Sequence, residues 1–431
     1  MTAIRRRPFG QNYVFVVVGV VFFCLLVAAG QRGAPSVLIQ PFEKAFGWKR
    51  DTISLSAGIG IFCYGMVGPF AGALMQRLGI RRTVMAALAL MAIAVAASAF
   101  MTAAWQLIAL WGLLSGVGSG CVSMVLAATV VNRWFSTHRG LIMGILTAST
   151  ATGTLIFIPG LAAIAEHAGW QPVVLTVAAG AAVMIPFAYF LLPEWPTDAG
   201  LRRYGAAPDE APPAPDHRNL LALAFGTLAR AMRHRAFWYL FATFFVCGFT
   251  TNGLVGTHLI AFCGDHGIQE VQAAGLLAMM GVFDLFGTTA SGWLTDRFDP
   301  RKLLFMYYGL RGLSLIYLPY SDFSFFGLSI FAMFYGLDWI ATVPPTLRLT
   351  TENFGDRDGP IVFGWIAAGH QMGAASAAYF AGAMHTAQGS YLEAFVIAGM
   401  TGIGAAVISL LISRPAKEDV RQVPEPVPQA G

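Results

Sequence analysis

The sequence predicts an all-α membrane protein of twelve transmembrane helices arranged as two six-helix bundles, and three observations predict it. Hydrophobic residues make up 56% of the 431, and only 11% are charged. That is too few to cover a water-facing surface, which carries roughly a quarter charged residues. The apolar residues gather into runs of about 20, the length that crosses a bilayer as a helix. Finally, a polar loop between two such runs occurs twice, as Gly72-Ala-Leu-Met-Gln76-Arg77-Leu-Gly79-Ile-Arg81-Arg82 and again from Gly292 as Gly292-Trp-Leu-Thr-Asp296-Arg297-Phe-Asp299-Pro-Arg301-Lys302, 220 residues later. One such loop in each half points to a duplicated bundle.

The first half supplies spans 1 to 6 at 13–39, 52–75, 83–101, 104–131, 140–165 and 170–192. Span 1 follows Arg5, Arg6 and Arg7, a start that imitates a signal peptide, but eleven further spans argue for a retained first helix. Span 4 is glycine-rich (Gly112, Gly116, Gly118, Gly120), as close helix approach in lipid requires. Spans 7 to 12 follow at 236–262, 271–294, 302–319, 323–347, 360–384 and 390–413, and Pro344-Pro345 should kink span 10. The domains expected are an N-terminal bundle over 1–193, a cytoplasmic linker over 194–235, a C-terminal bundle over 236–414 and a tail over 415–431. In the linker, 193–217 is rich in Pro, Ala, Asp and Arg and lacks periodicity, whereas 219–235 alternates apolar residues with Arg230, Arg233, His234 and Arg235. The second pattern suits an amphipathic helix on the inner leaflet.

Of the 27 Lys and Arg, Lys44, Lys49 and Arg50 fall in outer loops, Arg32 and Arg311 lie inside spans, and all the others fall on the side of the termini. The positive-inside rule puts both termini in the cytoplasm of a multi-pass cytoplasmic (inner) membrane protein. The same clustering explains the net charge of +5 without nucleic acid. The five cysteines show no metal or redox spacing and read as small hydrophobes. No cofactor is indicated.

The paired loops resemble the signature of the major facilitator superfamily, and the resemblance covers nearly the whole chain. It implies a charge relay in which Arg77, Arg81, Asp296 and Arg297 latch helix ends in one state of an alternating-access cycle. Where the family has an aspartate, the first copy has Gln76. The alternative for the arginines is that they only orient the protein. Phe46-Gly47-Trp48-Lys49-Arg50-Asp51, and Trp134-Phe135 through Arg139-Gly140, Gly144 and Gly153, are similar to the branch that holds monocarboxylate transporters and oxalate-formate antiporters.

Charges inside a bilayer are costly and usually mark a pathway or a pair. Arg32 in span 1 is placed either to hold a substrate carboxylate by two parallel hydrogen bonds, or to snorkel outward or bond a carbonyl freed by Pro35. Its counterpart 220 residues on is Asn252, and His370 and Gln371 in span 11 complete the expected substrate site. Asp284 matches the acidic residue that the monocarboxylate branch carries in span 8, though Thr288 stands where that branch has an arginine and Ser36 where its animal members have a lysine. Asp284, Asp338 and Arg311 fall at similar depth. Arg311 therefore reads as a structural ion pair, and Asp284 or Asp338 as either the proton-coupling group or a static partner. His258 is expected at the interface.

The function this implies is secondary active transport of a small organic anion, a monocarboxylate by resemblance, coupled to a proton or to a counter-anion, by a monomer. Proton-coupled efflux of drugs or lipophiles is the rival within transport, and a non-transporting sensor of the same fold the rival outside it. No nucleotide-binding loop and no metal or nucleophile motif points to an enzyme.

Overall fold

The computed structural model describes residues 12–206 and 220–413. The N-terminal arginines, the middle of the linker and the tail over 415–431 lie outside the described residues. Among the described residues the chain is helical, with no strand beyond one isolated bridge between Phe135 and Tyr204. In lipid every backbone polar group must be satisfied within the protein, and helices do this segment by segment.

Spans 1 to 6 run Tyr13–Phe46, Arg50–Leu78, Ile80–Ser98, Ala104–Trp134, Arg139–Ala168 and Trp170–Leu191. Span 7 is Arg235–Asp265, span 8 Glu270–Arg297, span 9 Pro300–Tyr317 and span 12 Leu392–Leu410. Span 10 covers Phe326–Gly355, and span 11 is the rest of the long helix Val343–Gln388. Ten of these are long and apolar enough to cross a membrane. The two others expected are helical as well: span 9, which carries Arg301, Lys302 and Arg311, and span 11. Gly355, at φ +76°, separates spans 10 and 11, in a conformation that side chains other than glycine seldom adopt.

Twelve antiparallel crossings leave Tyr13 and Leu410 on one face, here the terminal face, and the loops around 47–49, 266–269 and 389–391 on the far face. The apolar core follows that division. One cluster of buried residues draws only on residues 13–192, and another only on 231–412. The largest draws on both halves, and its members (Ala34 to Phe42, Ile53, Leu254 to Cys263, Ala381, Tyr391) all lie toward the far face. The halves are therefore joined there.

Several local expectations change. Pro344 and Pro345 do not kink a helix. The chain turns over 339–342, and the prolines start the next helix at positions where a missing N–H costs nothing. Span 4 is not uniform: Ile108–Ser115 winds as π-helix, the chain breaks at Val122 and Ser123, and a matching π stretch, Phe249–Val255, interrupts span 7. Gly112, Gly116 and Gly120 of span 4 lie against span 2, where a Cβ on Gly116 or Gly120 would overlap Cys63 or Val67, and Gly118 lies against Met91 of span 3. The amphipathic helix Leu220–Ala231 docks on protein rather than resting only on lipid. Trp365 donates to the Ala224 carbonyl at 3.1 Å, and Arg230 pairs with Asp358 at 2.7 Å.

Candidate functional site

Span 1 carries its polar residues where Pro35 interrupts the backbone hydrogen bonding. The Arg32 guanidinium lies 4.5 Å from the centre of the Tyr64 ring of span 2, and its Nη1 is buried without a hydrogen-bond partner. Beside it, Gln31 is 2% exposed; its Nε2 donates to Ser115 Oγ and its Oε1 has no partner. Buried donors and acceptors are normally paired, so two orphans on adjacent residues mark a place built to receive polar groups.

Gln371 of span 11 meets span 2 one residue beyond Tyr64, so closely that Gly65 has no room for a Cβ. His370 lies 4.9 Å, ring to ring, from Phe244 of span 7, and Asn252 sits half-buried in the π stretch of that span. Spans 1, 7 and 11 thus carry the four expected substrate residues, and Arg32 and Gln371 both border span 2 at Tyr64 and Gly65, although Arg32 makes no direct hydrogen bond to the other three.

Asp284 and Asp338 flank the break in span 10 but differ in their partners. Asp284 Oδ1 accepts from Thr288 Oγ1 and from the Ile340 amide, each at 2.9 Å, and has no ion pair. Asp338 Oδ2 accepts from Arg311 Nε at 2.6 Å while its Oδ1 is unpartnered. Arg311 also donates to the Asp338 carbonyl at 2.5 Å, and its Nη1 lies 3.0 Å from Cys247 Sγ. The three groups are neighbours in depth but not one network.

Arg77 and Arg81 line one cleft, but among the described residues no hydrogen bond or ion pair joins either to Asp296 or Arg297. Arg77 and Asp296 are exposed, and Arg297 folds over Trp293 at 4.1 Å. At the first loop the missing carboxylate comes from elsewhere. Glu194, just past span 6, accepts from the Ile80 amide at 2.5 Å and from the Arg81 amide at 3.0 Å, and lies 3.6 Å from Arg133. Arg81 Nε donates to the Leu192 carbonyl at 2.8 Å, and Arg133 stacks on Trp195 at 4.5 Å. The resulting basic cleft, about 330 Å³, is lined by Arg77, Arg81, Arg82, Arg133 and Glu194. Arg133 also donates to the Met75 carbonyl, and in the second half Arg348 donates to that of Thr295, 220 residues on from Met75.

Sequence reasoning missed the far-face junction. Arg50, 5% exposed at the start of span 2, donates to both oxygens of Glu43 at 2.6 Å each and to both oxygens of Asp265, at 2.6 and 3.1 Å. His385 and Tyr391 border it. His258 is fully buried rather than interfacial, because its Nε2 donates to the Ala378 carbonyl at 2.7 Å and its Nδ1 lies 2.9 Å from the Tyr391 hydroxyl. One signal was available: a cation in a helix's first turn opposes the dipole and calls for carboxylates.

A helical bundle whose halves close on one face around unpartnered intramembrane polar groups defines a membrane carrier. The profile of the Major Facilitator Superfamily matches residues 21–356, and the chain belongs to that superfamily. It is 28% identical to the uncharacterized MFS-type transporter YcxA of Bacillus subtilis (strain 168), over 78% of this chain and 80% of the relative. Monocarboxylate transporter 13 of Rattus norvegicus is 26% identical over 95% of this chain and 94% of its own. The fold matches a bacterial homolog of the human lysosomal transporter Spinster in an inward-facing and occupied conformation (TM-score 0.73, 14% identity, 94% and 97% covered). It also matches the partially occluded inward-open xylose transporter XylE from E. coli (TM-score 0.69, 15% identity, 94% and 99% covered). The protein is thus a multi-pass membrane transporter of small molecules.

Proposed function

We propose that this transporter moves a small organic anion, a monocarboxylate, by alternating access, driven by a proton or by exchange. The observation that carries the reading is the unpartnered guanidinium of Arg32 beside the Tyr64 ring. A carboxylate completes it with two parallel charge-assisted bonds, and the aromatic face fixes the plane of the fork. The likeness to monocarboxylate transporter 13 supports the same substrate class.

In this reading residues 1–193 and 236–414 are two bundles that rock about the site, joined through 194–235. The terminal face is cytoplasmic, because the basic loops lie on it. The far face is shut and the latch loops are unengaged, the arrangement of a carrier open to the cytoplasm. Arg32, Asn252, His370 and Gln371 bind the anion, and Asp284, which has no ion pair, carries the proton more readily than Asp338, which has one.

Uptake of a labelled monocarboxylate such as lactate into proteoliposomes tests the reading. Arg32→Gln should abolish uptake and leave the protein monodisperse, and unchanged uptake would remove Arg32 from the site.

A further inference from the structure

We propose that the far-face junction is a proton-operated closure in which His385 takes the proton. This rests on the alternating-access reading but not on the identity of the substrate. Glu43 and Arg50 come from the ends of spans 1 and 2, whereas Asp265 closes span 7 and His385 lies near the end of span 11. One guanidinium therefore fastens the two halves together. It does so with two carboxylates, which leaves one negative charge in excess.

His385 is placed to cancel that charge. Its Nε2 lies 3.1 Å from Asp265 Oδ2 and 3.2 Å from Arg50 Nη1. Among the described residues the nearest other imidazole in sequence, His266 beside Asp265, donates from Nδ1 to the Phe262 carbonyl at 2.9 Å and stacks on Phe323. Tyr391, whose ring is 4.7 Å from that of His385, offers a phenol whose oxygen lies 3.4 Å from Arg50 Nη1. His258 stands behind Tyr391 with both ring nitrogens in use. The Asp51 carboxylate turns back onto Thr52, Glu393 holds Gln388, and Lys44 and Lys49 are exposed.

The direction of the effect follows from the charges. In the closed junction the side chains of Arg50, Glu43, Asp265 and His385 are 6%, 24%, 26% and 17% exposed, so the excess negative charge is only partly screened and a proton on His385 that cancels it favours closure; once the halves part, water screens the carboxylates and that gain is lost. Acid therefore favours the closed far face, closing takes up a proton, and opening releases it. Histidine is the side chain whose charge ordinarily changes between about pH 5 and 8. As the pH rises through that region the closure loses the stabilisation.

The test uses the full chain in lipid nanodiscs without substrate. Ser54 is fully buried just beneath the junction, against Gly382 of span 11. Ser54→Cys reports opening through its rate of maleimide modification, divided by that of Ser390→Cys at the exposed loop and corrected for the native cysteines. The expected ratio rises at least about threefold from about pH 5.5 to 7.5. With His385→Gln added, the ratio should be high at both pH values. With Asp265→Asn added, the junction is neutral without a proton and the ratio should stay low at both. A flat ratio in the parent, a parent-like rise in His385→Gln, or a high ratio in Asp265→Asn overturns the proposal. Because no substrate is present, a failed assignment of Arg32 shows up only in uptake, and a failed closure only in this ratio.

Discussion

Arg311 Nε and Asp338 Oδ2 meet at 2.6 Å, with side chains 0% and 8% exposed. The same guanidinium closes the turn that breaks span 10 by taking the carbonyls of Asp338 and Trp339. Removing one partner strands a buried charge, at a cost of about 3–5 kcal/mol, whereas replacing both with apolar residues is often neutral. Arg311→Met should therefore lower the melting temperature of the purified protein sharply, and Arg311→Met with Asp338→Leu should recover most of the loss. Additive losses in the double variant would mean the pair is not a unit.

Tyr64 should act through its ring rather than its hydroxyl. The Arg32 guanidinium lies over the ring face, an interaction of about 0.5 to 2 kcal/mol. Tyr64→Phe should leave the KM for uptake nearly unchanged, and Tyr64→Leu should raise it between about twofold and thirtyfold. Equal effects of the two substitutions would assign the role to the hydroxyl.

Asp284 accepts from Thr288 and from the Ile340 amide but makes no ion pair. A carboxyl so placed can be neutralised without stranding a positive charge, unlike Asp338. Asp284→Asn should lose drive by a pH gradient while substrate counterflow continues, because exchange needs no net proton movement. A variant still driven normally by the gradient clears Asp284 of coupling.

The fold was legible because lipid imposes one dominant pattern, long apolar runs with basic loops, and every span followed from it. Isolated intramembrane charges such as Arg32, Asp284 and Arg311 were legible for the same reason. Partners supplied across the chain were not. Nothing local in the sequence says that Glu194 will reach the loop at Ile80, or that Arg50 will meet Asp265 and His385. The π stretches were hidden as well, since Phe249–Val255 has the composition of ordinary helix. His258 was misplaced because its partners, the Tyr391 hydroxyl and the Ala378 carbonyl, belong to later spans.

Glu194 supplies at the first loop the negative charge that Gln76 does not carry. Its carboxylate caps the first two amides of span 3 and sits 3.6 Å from Arg133. Loss of a helix cap costs about 0.5–2 kcal/mol, and here the cost should be local. Glu194→Ala should speed hydrogen exchange over 80–84 by roughly two- to thirtyfold with little change at the far face. Glu194→Gln keeps an acceptor but loses the charge beside Arg133, and should fall between Glu194→Ala and the parent. Glu194→Ala should also lower uptake by unbalancing the arginines of that cleft, and because an acid restored within the loop by Gln76→Asp lies near the same arginines, it should recover part of that loss in the Glu194→Ala background. Because Gln76 is not placed to cap Ile80, the fast exchange should persist in that double variant. Recovery of slow exchange together with uptake would show that the charge alone, and not the capping geometry of Glu194, holds the loop.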